Sequence, residues 1–551
     1  MHADARWRPH WRLLGAVVLT SLGMAACATT DGPVSGGSQP VPKGTTTVTI
    51  AHINDTHGRY LPVLVAPGNA TAQTGDPGRS EQSFERRGLI GGYAAMASAL
   101  ARMRARVGTD NLLMLHGGDA FGDDLLGNLT RGEATIRLMN AIGVDFMALG
   151  NHDFDYGAER TRELQGIAAF PMRGANVTDA SGEPFLGDPA KVFEAGGVRI
   201  AVLALGYHNT DQTGSRDNLR GLAFGSGIDA ARTWVPRLRG RADVILVLSH
   251  QGSKVDRELA RAVPGIDVIV GAHSHDEIAP PERVGDTWLV QAMSDATELG
   301  ELTLNIGTDR RLQSVSGQLH TLWADDFPAD TAVAQLIERL RAPHRAALEA
   351  TMATASERIG RRYKSESPFD ALGGEILREH TGADIAFLPG VGYGVSLEAG
   401  TITREALGTL LPHPAKVATV VLSGRQVREV LEQSATNQKP ERVLDGVGGL
   451  VQTSGLIWTI DLTHPVGQRV RDIRVGNQAS NQAIDPQRDY RVVTHEGMLK
   501  GLHRYRSFAA GREPNVLAET VTEVVEAGFR QRGTVRPPPL GNVTVIQSLG
   551  N

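Results

Sequence analysis

The segment DFMALGNHDFDYG, residues 145–157, decides the reading of this chain. A short apolar run stops at Gly150-Asn151-His152-Asp153-Phe154-Asp155. Such a run reads as a strand covered on both faces, and the residues that follow it can hold cations and move protons. Four other apolar runs end in the same way. TTVTIAHI (46–53) leads into Asn54-Asp55-Thr56-His57-Gly58, and NLLMLHG (111–117) into Gly118-Asp119. ADVILVLS (242–249) leads into His250, and DVIVGA (267–272) into His273-Ser274-His275-Asp276. Further strands are expected at 198–205 and 287–293. Met96, Leu100, Met103 and Val107 recur at helical spacing, as do Ile136, Met139 and Ile142. Strand–helix alternation predicts α/β layers, in which ligands bind beyond the carboxyl ends of the strands.

Asp55 and His57 stand two residues apart, as do His273 and His275, so each pair faces one side of an extended segment. Carboxylate, amide and imidazole donors without sulfur suit Zn, Mn, Fe, Co or, with carboxylates, Mg. Seven such groups exceed the needs of one four-coordinate ion and suit two ions sharing a carboxylate, the arrangement that clamps both oxygens of an in-line displacement. Taken singly, other polar groups have structural readings. Asp153 bonds locally in its loop, His116 packs at a strand end, and His52, His208 and His413 belong to no motif. Asp276 either steadies a ligand imidazole or is solvated.

In this order Asp-x-His, Gly-Gly-Asp, Gly-Asn-His-Asp, Ser-His and Gly-x-His-x-His resemble the calcineurin-like metallophosphoesterases. The spellings HINDTHG, GGD, GNHDFDYG and LSHQG resemble more narrowly the 5′-nucleotidase / UDP-sugar hydrolase family. The resemblance covers about 46–547. It implies a metallophosphoesterase β-sandwich flanked by helices, a linker helix and a C-terminal α/β substrate-binding domain, with boundaries at 46–325, 326–355 and 356–551. It implies that Asp55, His57 and His275 hold one divalent ion and Asn151, His250 and His273 a second, with Asp119 between them. His152 is then the general acid, and Asp155 orients it. The implied substrate is a small phosphate ester, a 5′-nucleotide or a related nucleotide.

The C-terminal half departs from the family. Where nucleotide binders carry Asn-x-Gly-Gly-x-Arg, this chain reads Leu388-Pro389-Gly390-Val391-Gly392-Tyr393-Gly394, with Gly394 in the arginine's place. The stacking aromatic of Pro-Phe-x-Asn is replaced in Pro412-His413-Pro414-Ala415. Tyr393, Arg362, Tyr505 and Phe508 are the substrate-contact candidates. The altered loop also resembles a thiosulfohydrolase branch with the same two domains, although that branch departs from GNHDF, where this chain does not. A non-catalytic surface binding protein is the third reading, disfavoured because binding alone needs neither two ions nor His152.

Composition limits the alternatives. Among 551 residues, 56 basic against 61 acidic give a net charge of −5, so nothing favours nucleic acid as a partner. One cysteine, Cys27, excludes an internal disulfide and a thiolate zinc site. Arg6, Arg8 and Arg12 precede an apolar run at 13–23 that is too short to span a bilayer, and Met24-Ala25-Ala26-Cys27 resembles a lipobox. Residues 1–27 therefore read as a lipoprotein signal, with a plain signal peptide as the alternative. Residues 28–45 read as a flexible tether, 62–87 as an exposed insertion, and the mature chain as an extracytoplasmic, lipid-anchored monomer.

Overall fold

The computed structural model describes residues 44–65, 84, 86–122, 124–362, 365–390 and 396–546. The signal, nearly all of the tether, most of the insertion, Tyr393 and Gly394 lie outside the described residues.

Two six-stranded sheets face each other in the N-terminal half. The first runs Leu312–Thr321, Glu298–Ile306, Thr46–Ile53, Leu112–His116, Phe146–Ala148, Met172–Arg173. The second runs Glu277–Val284, Thr287–Ala292, Val268–Gly271, Val244–Ser249, Val198–Leu205, Ala190–Ala195. Four adjacent strands of each sheet are parallel; antiparallel strands close one edge of the first sheet and both edges of the second.

Alternation along each strand sorts the side chains. Val48, Ile50, Leu113, Leu115, Phe146 and Ala148 meet Ile200, Val202, Leu246, Leu248, Val268 and Val270 between the sheets. Ala51, Ile53, Met114 and Met147 turn outward onto Met96, Leu100, Met103, Ile136 and Met139 of the helices Tyr93–Val107 and Glu133–Ile142. Leu203, Val247 and Ile269 turn onto the helices Gly227–Arg239 and Ser253–Ala262. Strands covered on both sides need apolar residues at every position, hence the continuous runs. Truncating an interior leucine such as Leu115 would cost about 2–5 kcal/mol.

Register places the loops side by side. Ile53 is opposite His116, Leu115 opposite Phe146 and Ser249 opposite Gly271, all in parallel pairs. Their carboxyl ends therefore deliver five loops to one edge of the sandwich.

The helical stretch expected over 326–355 needs correction. It comprises Thr331–Arg341, a 3-10 turn at Ala342–His344 containing Pro343, and Arg345–Leu348; Thr351–Ala355 is a strand paired with Gly400–Thr403. Proline lacks the N–H that would continue the helix. The C-terminal half is α/β, built on a five-stranded sheet ordered Gln452–Ser454, Ile385–Leu388, Asp489–His495, Lys416–Ser423, Arg512–Thr520. Among the described residues no helix is long and apolar enough to cross a membrane.

Candidate metal centre and active site

Five of the seven candidate ligands adopt left-handed backbone conformations: Asp55 (φ 49°), His57 (49°), Asp119 (53°), His273 (71°) and His275 (54°). Each such non-glycine residue costs of order 1–3 kcal/mol and persists only where its surroundings enforce it. Here the loops brace one another. Asp55 N–H donates to Gly118 O at 2.9 Å and His57 N–H to Asp119 O at 3.0 Å. Asp55 Oδ2 accepts from His273 N–H at 2.8 Å, and Asp119 Oδ1 from His152 N–H at 2.8 Å. Gly118 (φ +101°) permits the close approach: a Cβ there would stand 2.7 Å from both Gly150 N and His250 Nδ1.

The donors converge in two groups that Asp119 links. Asp55, His57 and His275 lie together, and Asp119, His250 and His273 lie together, with ligand atoms in each group within 4.8 Å. His57 Nε2 is 3.1 Å from His275 Nε2, His275 Nε2 is 3.3 Å from Asp55 Oδ1, and His250 Nε2 is 3.1 Å from Asp119 Oδ2. Asn151 Oδ1 is buried with no hydrogen-bond partner, and Asp55 Oδ1 and His250 Nε2 are buried facing only other donor groups of the nest. Buried polar atoms are almost always satisfied, so this crowding of donor atoms fits a cation-binding site. His250 Nδ1–H donates to Gly117 O at 2.8 Å, which leaves Nε2 as the atom that could ligate an ion.

Electrostatics agree. Burial would depress His250, but Asp119 and Asp55 outweigh it and raise its pKa to about 9. Burial would raise both carboxylates, but the neighbouring imidazoles hold Asp55 and Asp119 below the usual range. Burial and the nearby His250 push His273 down to about 3. Two wholly enclosed carboxylates ringed by imidazoles, with His250 held protonated by them, form a site in which a divalent ion could replace protons.

His152 begins a 3-10 turn beyond Phe146–Ala148. Its Nδ1–H donates to Asp155 Oδ2 at 2.8 Å, so Nε2 is the nitrogen that could exchange a proton with a bound group. Ligand atoms of His57 and Asp119 lie within 4.8 Å of one of His152, which places the imidazole beside the candidate ligands. Asp153 anchors the loop, accepting from the backbone N–H groups of Asp119, Ala120 and Gly150.

A cleft of about 810 Å3 opens over these residues. Its far wall comprises Pro389, Gly390, His413, His495, Lys500 and His503 of the C-terminal half. Two of the expected stacking residues, Tyr505 and Phe508, are not among its lining. Tyr505 and Phe508 are each 1% exposed in the core beside Phe387, because their apolar rings complete that core and leave no face for a base. Of the arginine pair, Arg361 lines the cleft, while half-buried Arg362 lies outside that lining. Arg361 bonds Asp370 at 2.8 and 3.1 Å and also donates to Leu410 O.

Sequence reasoning missed three contributors. Asn54 donates to Asp55 Oδ2 at 2.7 Å and to Met293 O at 2.6 Å; its place beside the ligand was the available signal. The ring of Tyr207 lies 3.8 Å from that of His273. His413 stacks on His152 with ring centroids 5.3 Å apart and planes 4° from parallel. The last two contacts join distant stretches and have no local signature.

Residues 48–277 match the family model of the calcineurin-like phosphoesterases, and residues 347–510 that of the 5′-nucleotidase C-terminal domain. An apyrase from Tabanus yao is 28% identical over 503 residues, covering 82% of this chain and 85% of its own. A 5′-nucleotidase precursor from Thermus thermophilus has a structure similar to this one at a TM-score of 0.81 and 26% identity, covering 91% of this chain and 100% of its own. A sulfate thiohydrolase from the same organism gives 0.80 at 25% identity, covering 91% of this chain and 97% of its own.

Proposed function

Because the chain belongs to the two-domain metallophosphoesterases, with a calcineurin-like phosphoesterase domain followed by a 5′-nucleotidase C-terminal domain, we propose that it hydrolyses 5′-nucleotides, using two divalent ions. The observation that carries the reading is Asp119, set between two donor groups and bonded through Oδ1 to the backbone of His152.

Asp55, His57 and His275 would hold one ion, Asn151, His250 and His273 the other, and Asp119 both. Bound there, the ions supply Lewis acidity toward phosphoryl oxygens and lower the pKa of water. The protein's own part is positional and acid–base. The cleft, near the size of small-molecule sites generally, holds the ester against the ligand edge. His152 Nε2 donates a proton to the leaving alcohol oxygen, and Asp155 fixes the tautomer and orientation that this requires. In this reading residues 46–325 carry the chemistry and 356–551 the substrate wall, and the chain works as a monomer.

A phosphate-release screen tests the substrate. Metal-stripped enzyme is supplied separately with Mn, Zn, Co, Fe and Mg and assayed on nucleoside monophosphates, sugar-nucleotides and cyclic nucleotides. Release of phosphate from monophosphates is expected; sulfate release from sulfur esters with none from phosphate esters would replace this reading by a thiohydrolase one, which the similarity to the sulfate thiohydrolase keeps in view. The cellular place is proposed from the N-terminal segment: an extracytoplasmic protein anchored by lipid at Cys27. Cys27→Ser should then move the protein from the membrane fraction to the soluble one.

A further inference from the structure

We propose that His413, contributed by the C-terminal half, is a positioning residue for the acid, holding the His152–Asp155 pair in working geometry across the cleft. The proposal rests on the reading of His152 as the proton donor.

Three observations carry it. First, the imidazoles of His152 and His413 form an offset stack, 5.3 Å between centroids and 4° between planes. Second, His413 Nδ1 stands 3.5 Å from Asp155 Oδ2, the same oxygen that accepts from His152 Nδ1 at 2.8 Å. One carboxylate oxygen thus faces both imidazoles. Third, the loop is held in place. Asn128 Nδ2 donates to Pro412 O at 2.7 Å, and Tyr156 Oη donates to Asn128 Oδ1 at 3.0 Å, so the residue after Asp155 indirectly fixes the residue before His413. Proline on both sides of His413 restricts its backbone further.

The opposite side of the pair is equally confined. A Cβ on Gly122 would stand 2.8 Å from Asp155 Oδ2 and 3.1 Å from His152 Nδ1. Gly122 backs the pair and His413 covers it, while the His152 and Asp155 side chains keep 17% and 20% exposure toward the cleft. A second nitrogen facing Asp155 Oδ2, His413 Nδ1, steadies the carboxylate that orients His152, and the stack on His152 places that nitrogen; a ring without the nitrogen leaves the carboxylate unsteadied.

A ring at this position could instead serve only to stack on a base, and kinetics separate the two roles. An acid matters most when the leaving alcohol is poor, and stacking matters only when a base is present. His413→Ala and His413→Phe are assayed in the metal-loaded full chain on adenosine 5′-phosphate, ribose 5-phosphate and 4-nitrophenyl phosphate. Both variants are expected to lower kcat about tenfold on the first two, with KM within about twofold, and to leave 4-nitrophenyl phosphate turnover nearly unchanged. His413→Gln, which keeps a donor, should recover most of the loss.

His413→Phe at wild-type kcat would overturn the proposal, since a ring alone would then suffice. A KM rise confined to adenosine 5′-phosphate, or an equal fall on all three substrates, would overturn it too. His152→Asn, run alongside, keeps the readings apart: wild-type turnover of ribose 5-phosphate by that variant would remove the acid assignment itself.

Discussion

His250 Nε2 lies 3.1 Å from Asp119 Oδ2, and neither side chain is exposed by more than 2%. That contact joins strand ends more than a hundred residues apart in the chain, so an ion bound there would add to folding stability.

Without ions, the Asp119 and Asp55 carboxylates raise His250 to about 9. A histidine raised in this way contributes stability that is complete below its unfolded value of 6.5 and disappears as pH rises through about 9. Ligation needs the neutral ring, so loading at about pH 7.5 should release protons. Calorimetric titration of Mn into stripped protein, in buffers of different ionisation enthalpy, should detect the release. Each ion at 100 times its Kd should add about 2.7 kcal/mol to stability, read as a higher Tm.

Gly118→Ala should damage the centre without touching a ligand. Its φ of +101° is costly for alanine, and the new Cβ would meet Gly150 N and His250 Nδ1 at 2.7 Å. The expected result is a fall in bound metal and in turnover of about tenfold or more, with the far-ultraviolet dichroism retained. Metal content and phosphate release measured on one preparation provide the check.

Glu298 offers a pH test away from the ions. It is 4% exposed, and burial, then the neighbouring Glu277, raises its pKa to about 8. The folded protein therefore prefers the neutral acid. Its contribution is complete below the unfolded value of 4.5 and is lost as pH climbs through about 8. Glu298→Gln, neutral at every pH, should match wild type near pH 4 and melt higher than wild type above about pH 8. A difference in Tm that does not grow with pH would contradict this.

The catalytic half was legible because its strands are covered on both faces: continuous apolar runs located them, and their polar ends located the groups that converge at the candidate site. The convergence of Asp55 with His275 followed only from the resemblance, since period and spacing do not reveal strand order. The C-terminal half was less legible. Thr351–Ala355 lay hidden in a stretch of helical composition because tertiary pairing with Gly400–Thr403 outweighs propensity. Tyr505 and Phe508 were expected at the cleft, but large rings bury more often than they bind. His413 was legible as the residue in the place of the family's stacking aromatic, but its contact with His152 was not, because its partners lie some 260 positions earlier in the chain.

The most direct test of the central claim is the molar ratio of Mn bound per chain, by equilibrium dialysis, for wild type, Asp119→Ala and His152→Ala. The account predicts two for wild type, fewer than one for Asp119→Ala, and two for His152→Ala even though its turnover is lost. A wild-type ratio of one or zero, or an Asp119→Ala variant that still binds two, would contradict it.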